Sequence, residues 1–496
     1  MKKSLILHIT PHLPGGLARI LLSTLKFSNI ESSSFLHEII ITDKKHLTNH
    51  AKKMFSKYKR FLHVGKKDTF IKKKIAEADI VQVEYWNHPL VYKFMNNFNF
   101  PLTRLILCSH TNGFSRPSVI TKNAINFSDI FLSATRATRK HPLFTLKKNK
   151  HRKKKLKFVT YPVDFERFGK IEPKAHKDFN ISYIGTLDYS KLHKDFLEMS
   201  NNIKIPKTNI IICGDGFDKD KIINQSKKYN LKKFKFKGFV ENIKDVLKTT
   251  DILGYPLNKK HYGSGEQVII EAMYSKIPVV AFYNHAEKEI IQNNKTGILV
   301  KDKKDYIKAI KNLYLNPKKR KKIGENAHAH IIKNLSPDVC FKNLDKIYLK
   351  LMKSKKKKRV FKTTILNKKN NNKDYGAQLF IESLGNSGYE FLNSYKNCGK
   401  KINYKINETI KNSEIELKVA TKGSLFQYLY FFPSDPYLNF WAGLMSLKDK
   451  NVLKKKHLSL PKTTFECFEI TLNNQPKNKE FKYYLDKIRY YYTYFS

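Results

Sequence analysis

Short apolar runs alternate with amphipathic stretches through the first two thirds of the chain. Residues 5–10 form the first run, ended by Pro11 and Pro14. Gly15 and Gly16 then open a helical pattern carrying Leu17, Ile20, Leu21 and Leu25. Further strand-like runs occupy 38–42, 80–84, 105–109, 129–133 and 157–161, most separated by helical stretches. The pattern then restarts, with runs at 181–185, 209–214, 234–238, 252–255, 279–282 and 297–300 and helical patterns at 219–230, 266–275 and 304–315. Near-continuous apolar strands alternating with helices predict parallel sheets covered on both faces. The fold class expected is α/β, with two doubly wound, Rossmann-like domains facing a cleft.

The breaks in the pattern set the expected boundaries. A basic stretch at 147–157 and a polar segment at 168–180 divide two units, 1–168 and 169–335. Helical patterns at 317–334 and 337–354 follow, the second giving a closing helix at 336–354. Residues 355–374 are a Lys/Asn-rich linker with little periodicity. Residues 375–496 differ in kind, with aromatic, alternating segments at 415–420 and 425–432 and a clear helical pattern only at 480–492. They are expected to form a mixed or β-rich accessory domain that folds separately, with Trp441 as an anchor.

Composition refines this picture. The 496 residues exceed what a single core of ordinary size organises, and 41 % apolar with 13 % aromatic residues is enough for several cores. Lys and Arg number 96 against 42 Asp and Glu, a formal charge of +54 that favours anionic partners. Much of the excess is Lys spread along the chain beside Asn, Ile, Tyr and Phe, a mixture that skewed base composition also yields. Dense runs at 150–157, 318–322 and 355–359 stand apart from it. Five widely spaced cysteines without a CxxC pair indicate neither a zinc site nor a disulfide framework, so reduced thiols and a cytoplasmic setting are expected. No apolar run is long enough to span a bilayer, which leaves peripheral contact with an acidic membrane surface as the membrane role to expect.

Three segments carry candidate chemistry. Gly15 and Gly16 lie at a strand-to-helix turn, where backbone N–H groups can approach a phosphate or sugar hydroxyls closely; a plain tight turn is the alternative. Gly185, Thr186 and Lys191 follow the first strand of the second unit. A lysine at a strand's carboxyl end lies where doubly wound sheets bind ligands, and its ammonium could neutralise a leaving diphosphate. A solvated lysine is the alternative. The third segment, from Tyr262 to Met273, is the most informative. Ser264 and Gln267 have the spacing of a capping box, which predicts a helix from about Gly265 with first-turn amides free for a phosphate. Glu271 sits among Val268, Ile269, Ile270, Ala272 and Met273, so its carboxylate needs partners. Ribose hydroxyls or a neighbouring loop would serve. Glu266 lies about 140° away round the helix, at ~100° per residue, so the two carboxylates do not share a face.

Together these residues resemble the family-4 retaining glycosyltransferases of the GT-B fold, over residues 5–351. The likeness is densest at 251–280 and includes Gly214-Asp215-Gly216, Lys237-Gly238-Phe239-Val240, Gly324-Glu325-Asn326-Ala327 and the crossover Tyr161-Pro162-Val163-Asp164-Phe165-Glu166-Arg167-Phe168. The resemblance implies a nucleotide-sugar donor in the second domain and an acceptor in the first. It implies that Glu271 holds the donor ribose, that Lys191 contacts the donor phosphates and that Gly15 and Gly16 lie near the diphosphate. It also implies that His110 lies near the donor sugar. The chain departs from the family where Gly263 replaces the first of two paired glutamates and Thr186 replaces an arginine, and Glu266 is positioned to compensate for the former.

The function expected is transfer of a hexosyl unit from a nucleotide diphosphate sugar to a glycan or lipid-linked acceptor, with retention of configuration. Lys191, His110 and Glu266 are the catalytic candidates. Gly15, Gly16, Gly185, Thr186, Lys191, Gly265, Glu266, Gln267 and Glu271 are the donor-binding ones. The likeness implies no required metal or cofactor. Competing readings are a sugar-nucleotide epimerase on the same fold and a non-catalytic sugar-nucleotide or nucleic-acid binder. The tyrosines at 490–494 could stack bases, but core packing accounts for them as well, and nucleic acid is not the partner expected.

Overall fold

The computed structural model of the chain describes residues 3–13, 15–28, 33–45, 47–169, 174–229, 231–363, 365, 373–399, 402–413, 423–448 and 463–495. Seven parallel strands build the first sheet: β1 (Ser4–Thr10), β2 (Phe35–Ile41), β3 (Leu62–Val64), β4 (Ile80–Tyr85), β5 (Leu105–Ser109), β6 (Ile130–Ser133) and β7 (Leu156–Phe158), in the order β3-β2-β1-β4-β5-β6-β7. Six more build the second: β8 (Phe179–Ile184), β9 (Thr208–Cys213), β10 (Phe234–Gly238), β11 (Ile252–Tyr255), β12 (Val279–Phe282) and β13 (Ile298–Val300), in the order β10-β9-β8-β11-β12-β13. Both orders reverse beside their first strand. The loops after β1, β4, β8 and β11 therefore open at topological switch points, where such sheets bind ligands.

The inner strands are buried on both faces because helices cover each side, which is why their sequences read as continuous apolar runs, while the edge strands β3 and β10 are only partly covered. The second sheet closes a core of its own, drawn from residues between Val163 and Ile331. Helix Pro317–Leu335 packs on it. Helix Pro337–Met352 then returns to the first domain, where Leu344, Tyr348 and Leu351 join Ile6, Ile80 and Ile106. The chain runs on along the first domain. Lys357 pairs with Thr103, and Arg359 forms an ion pair with Asp129.

Two expectations for the C-terminal region are corrected. Its described residues are helical, not mixed or β-rich: Tyr375–Leu384, Tyr389–Asn397, Tyr404–Lys411, Leu425–Phe431, Pro436–Lys448, Thr464–Asn474 and Lys479–Phe495. The expected segment at 415–420 lies outside the described residues. The stretch 425–432 reads as a strand because short apolar runs fit strand and buried helix equally. Ser424 settles it locally, accepting a hydrogen bond from the Gln427 N–H as a helix cap. Nor does this region have a core of its own. Trp441, Phe440, Phe380 and Tyr428 belong to one continuous cluster with Leu7, Val83, Leu107 and Phe131 of the first sheet. The junction is polar as well as apolar. Asn87 Nδ2 donates to the Ser383 carbonyl at 2.6 Å, and Arg116 pairs with the buried Glu390.

Candidate active site

The cleft is formed where the loops after β1 and β4–β6 of the first domain meet those after β8 and β11 of the second. Several contacts cross it. Asn112 Nδ2 donates to the carbonyls of His261, at 2.6 Å, and Gly263, at 3.1 Å. Glu289 accepts from the Thr135 hydroxyl at 3.0 Å and from the backbone N–H groups of Arg136 and Ala137 at 2.7 and 2.8 Å. The Asn112 bonds shape the loop before helix Gln267–Tyr274. The helix starts at Gln267, not at about Gly265, and its cap residue Glu266 makes no side-chain capping bond, so the expected Ser264–Gln267 capping box is absent. The loop backbone is held from across the cleft instead.

Released from capping, Glu266 turns its carboxylate into the second domain. Its Oε2 accepts from Lys191 Nζ at 2.9 Å and from the Tyr255 hydroxyl at 2.6 Å. Burial pushes this carboxyl up, but the charges of Lys191 and His261 and the two hydrogen bonds outweigh it and leave it below the ordinary range. The same burial and the carboxylate beside it push the Tyr255 phenol well up. Gly263, which stands where the resemblance expects a glutamate, lies against Glu266: a Cβ there would collide with Glu266 Oε1. The Glu266 carboxylate thus occupies the space beside the missing side chain.

Glu271 has a different partner. It is buried on the same helix and forms an ion pair with Arg167 of the crossover. Arg19, from the helix Gly15–Ser28, stands close to this pair and bridges the domains by donating to the Glu241 carbonyl at 2.8 Å. Burial and the neighbouring Arg167 charge lower the Arg19 pKa. Arg19, Ser23, Asp164, Arg167, Gln267 and Glu271 line an open cleft. The glycine loop meets it, since a Cβ on Gly16 would stand 3.5 Å from Gln267 Oε1. Gly15, the first residue of helix Gly15–Ser28, has φ +22°, and Gly16 is the second. Gly185 and Thr186 open the loop that carries Lys191, and the Thr186 carbonyl accepts from the Tyr183 hydroxyl at 2.9 Å.

His110 belongs to a third cluster, in the first domain. Its Nε2 is 2.6 Å from Glu84 Oε2, and its ring stacks on Tyr161 with centroids 5.3 Å apart. Tyr161 in turn packs near Gly265, where an added Cβ would lie 3.8 Å from the Tyr161 ring. Glu84, Cys108 and His110 offer ligand atoms within 4.8 Å of one another. Both Glu84 oxygens are engaged by histidines, and burial pushes the Cys108 thiol well up, so the chemistry is that of a hydrogen-bonded network.

The structure thus brings Lys191 and Glu266 together, sets Gly16 beside Gln267, and places Glu271 and His110 in separate clusters. Arg19, Tyr255 and Glu84 are additions that the sequence does not single out, and Arg167 enters there only as part of the crossover. Glu84 has a legible signal, a carboxylate inside the apolar run Ile80–Tyr85, of the same kind that marks Glu271.

Comparison with known proteins completes the picture. Residues 164–330 match the family model for "Glycosyl transferases group 1". EpsD of Bacillus subtilis (strain 168), a protein named as a glycosyltransferase, is 23 % identical over 169 residues, which span 33 % of this chain and 44 % of that relative. The fold is shared with a glycosyltransferase from Rickettsia africae ESF-5, with TM-score 0.57 and 18 % identity over 71 % of this chain and 100 % of the other. It is also shared with Anabaena Alr3699/HepE solved with UDP-glucose, with TM-score 0.54 and 14 % identity over 69 % of this chain and 99 % of the other. Sucrose-phosphate synthase from Thermosynechococcus elongatus aligns with TM-score 0.53 and 15 % identity over 71 % of this chain and 100 % of the other. The second domain thus matches the glycosyl transferases group 1 model over residues 164–330, and the two sheets facing the cleft make up the fold these solved glycosyltransferases share, GT-B.

Proposed function

We propose that the chain transfers a hexosyl unit from a nucleotide diphosphate sugar to a glycan or lipid-linked acceptor, with retention of configuration. The observation that carries this reading is the Lys191–Glu266–Tyr255 cluster at the carboxyl ends of the second sheet, where the part-buried Lys191 ammonium and the Tyr255 hydroxyl both donate to the buried Glu266 carboxylate. An ammonium held in a site of low dielectric is suited to the negative charge that grows on a departing diphosphate. Glu266 keeps that ammonium in place and neutralised before the donor arrives. Standing beside Gly263, it is also placed to accept from a donor-sugar hydroxyl. His110 meets the sugar from the first domain, Gly15 and Gly16 approach the diphosphate, and Glu271 holds the ribose while Arg167 fixes its carboxylate. The Anabaena protein, solved with UDP and with UDP-glucose, makes a uridine nucleotide the first donor to try. Binding and transfer need no metal in this reading.

Peripheral contact with an acidic membrane belongs to the same proposal. Two of the dense basic runs meet in space: Lys155 lies close enough to Lys357 and Arg359 for their charges to lower its pKa, after burial, and Lys157 feels Lys350 in the same way. Among the described residues no helix is long and apolar enough to cross a membrane.

The test is transfer from radiolabelled UDP-hexoses to glycan and lipid-linked acceptors, with the product's anomeric configuration read by NMR. Labelled product of the donor's configuration supports the proposal. Donor binding without product, or conversion of the donor to its epimer, overturns it.

A further inference from the structure

The first domain buries a carboxylate that the proposed reaction has not used. Glu84, near the end of β4, is 1 % exposed. Its Oε2 is 2.6 Å from His110 Nε2; its Oε1 is 2.7 Å from His8 Nδ1 and accepts from Gln82 Nε2 at 2.9 Å. His8 Nε2 is 2.8 Å from His37 Nδ1. One carboxylate thus ties the end of β5 to β1 and, through His8, to β2.

The chemistry fixes the protons. Burial would raise the Glu84 carboxyl, but the hydrogen bonds and charges of His110 and His8 hold it down to about 2. An ionised carboxylate has no proton to give, so His110 Nε2 and His8 Nδ1 each carry a hydrogen. That leaves Nδ1 as the ring nitrogen of His110 available to anything else. Tyr348, from the returning helix, donates to Gln82 Oε1 at 2.9 Å, and Cys108 lies 3.0 Å from the Tyr161 hydroxyl. Burial pushes the Cys108 thiol and the Tyr348 and Tyr161 phenols well up, and holds His37 well below its ordinary value.

A buried ionic network stabilises a fold less than apolar side chains of the same shape would, so stability alone gives little reason for one. This network also ends at the cleft. His110 stacks on Tyr161, and Tyr161 faces Gly265 at the start of the donor-side segment. We propose that Glu84 is a positioning residue for His110: it takes the Nε2 hydrogen, fixes the plane of the ring, and leaves Nδ1 to meet a hydroxyl of the donor sugar, with His8 and His37 anchoring the carboxylate from behind. This rests on the placing of His110 at the donor sugar made above.

The test pairs a spectroscopic readout with a kinetic one. In the full chain, proton NMR should show a low-field imidazole resonance from the hydrogen between His110 and Glu84, identified by its loss in His110→Gln. The resonance should move upfield in Glu84→Gln and persist in Glu84→Asp. With a UDP-hexose donor, Glu84→Gln should lower kcat at least tenfold while donor KM stays within about twofold, and Glu84→Asp should recover much of the loss. If Glu84→Gln does not fold, His8→Gln, which removes the group behind the carboxylate, carries the same readouts: an upfield shift of the resonance and a lowered kcat, with wild-type kcat and an unmoved resonance overturning the proposal. No such resonance in the wild type, or wild-type kcat in a folded Glu84→Gln, overturns the proposal. A resonance that behaves as described in a protein with no transfer from any nucleotide sugar leaves Glu84 as the residue that orients His110 and overturns the transferase reading instead.

Discussion

The two sheet domains are completed in different ways. The second closes its own core with its own helices, between Val163 and Ile331. The first borrows. Its β4 and β5 side chains share one apolar cluster with Phe380, Tyr428, Phe440 and Trp441, from the far end of the chain. Their buried carboxylates differ too. Glu266 in the second domain is held by Lys191 and the Tyr255 hydroxyl, whereas Glu84 in the first is held by two imidazoles. The second domain therefore closes a core of its own, while the first shares its core with the C-terminal helices.

The largest expected effect follows from the shared core. A chain ending at Ser354 loses Leu379, Phe380, Trp441 and the rest of the C-terminal part of that cluster, uncovering helix Pro89–Asn97 of the first domain, and is expected to be insoluble or to lack cooperative unfolding. Soluble expression and a sharp thermal transition in the truncated chain would show that the first domain is as self-sufficient as the second. Within the full chain, Trp441→Ala removes a fully buried indole that donates to the Ser394 hydroxyl at 3.0 Å. It should cost about 3–5 kcal/mol in denaturant unfolding, typical of Trp→Ala in a core. Next is Lys191→Ala, which should lower kcat on the order of 10²–10³-fold with a smaller change in donor KM, because leaving-group charge is greatest in the transition state. Equal turnover in the variant would remove Lys191 from the mechanism.

The smallest effect is on acid stability. His37 is wholly buried between His8 and Tyr348, and burial holds it well below its ordinary value of 6.5. A buried histidine kept neutral contributes stability that is present above about 6.5 and is lost as the pH falls, because only the unfolded chain then takes up the proton. Thermal unfolding followed from about pH 7 to about pH 5 should show a falling Tm, and His37→Gln should flatten that slope. An unchanged slope would mean that His37 titrates freely in the folded protein.

Legibility in the sequence depends on how local each signal is. The sheets are legible because strands covered on both faces read as unbroken apolar runs. β3, three half-buried residues at the sheet edge, leaves no such run and goes unmarked. The helix Leu425–Phe431 reads as a strand because burial on all sides erases helical periodicity. In the site, Glu271 announces itself as a carboxylate on an apolar helix. Its partner Arg167 does not, since the crossover reaches it only in three dimensions. Glu266 is expected from the sequence to stand in for the glutamate that Gly263 replaces, and its carboxylate lies against Gly263, a closeness that only the folded loop produces. The pairing of Lys191 with it joins two loops that only the topology of the second sheet brings together.

If the second domain binds a nucleotide diphosphate sugar at the cleft lined by Arg19, Arg167 and Glu271, the nucleotide alone should bind there. Calorimetric titration of UDP into the full chain, beside ADP and GDP, tests this most directly. Saturable one-site binding of one of these nucleotides is expected, weakened at least tenfold in Glu271→Gln while the variant's Tm stays near that of the wild type. No binding of any nucleotide diphosphate, or unaltered affinity in the folded variant, would contradict it.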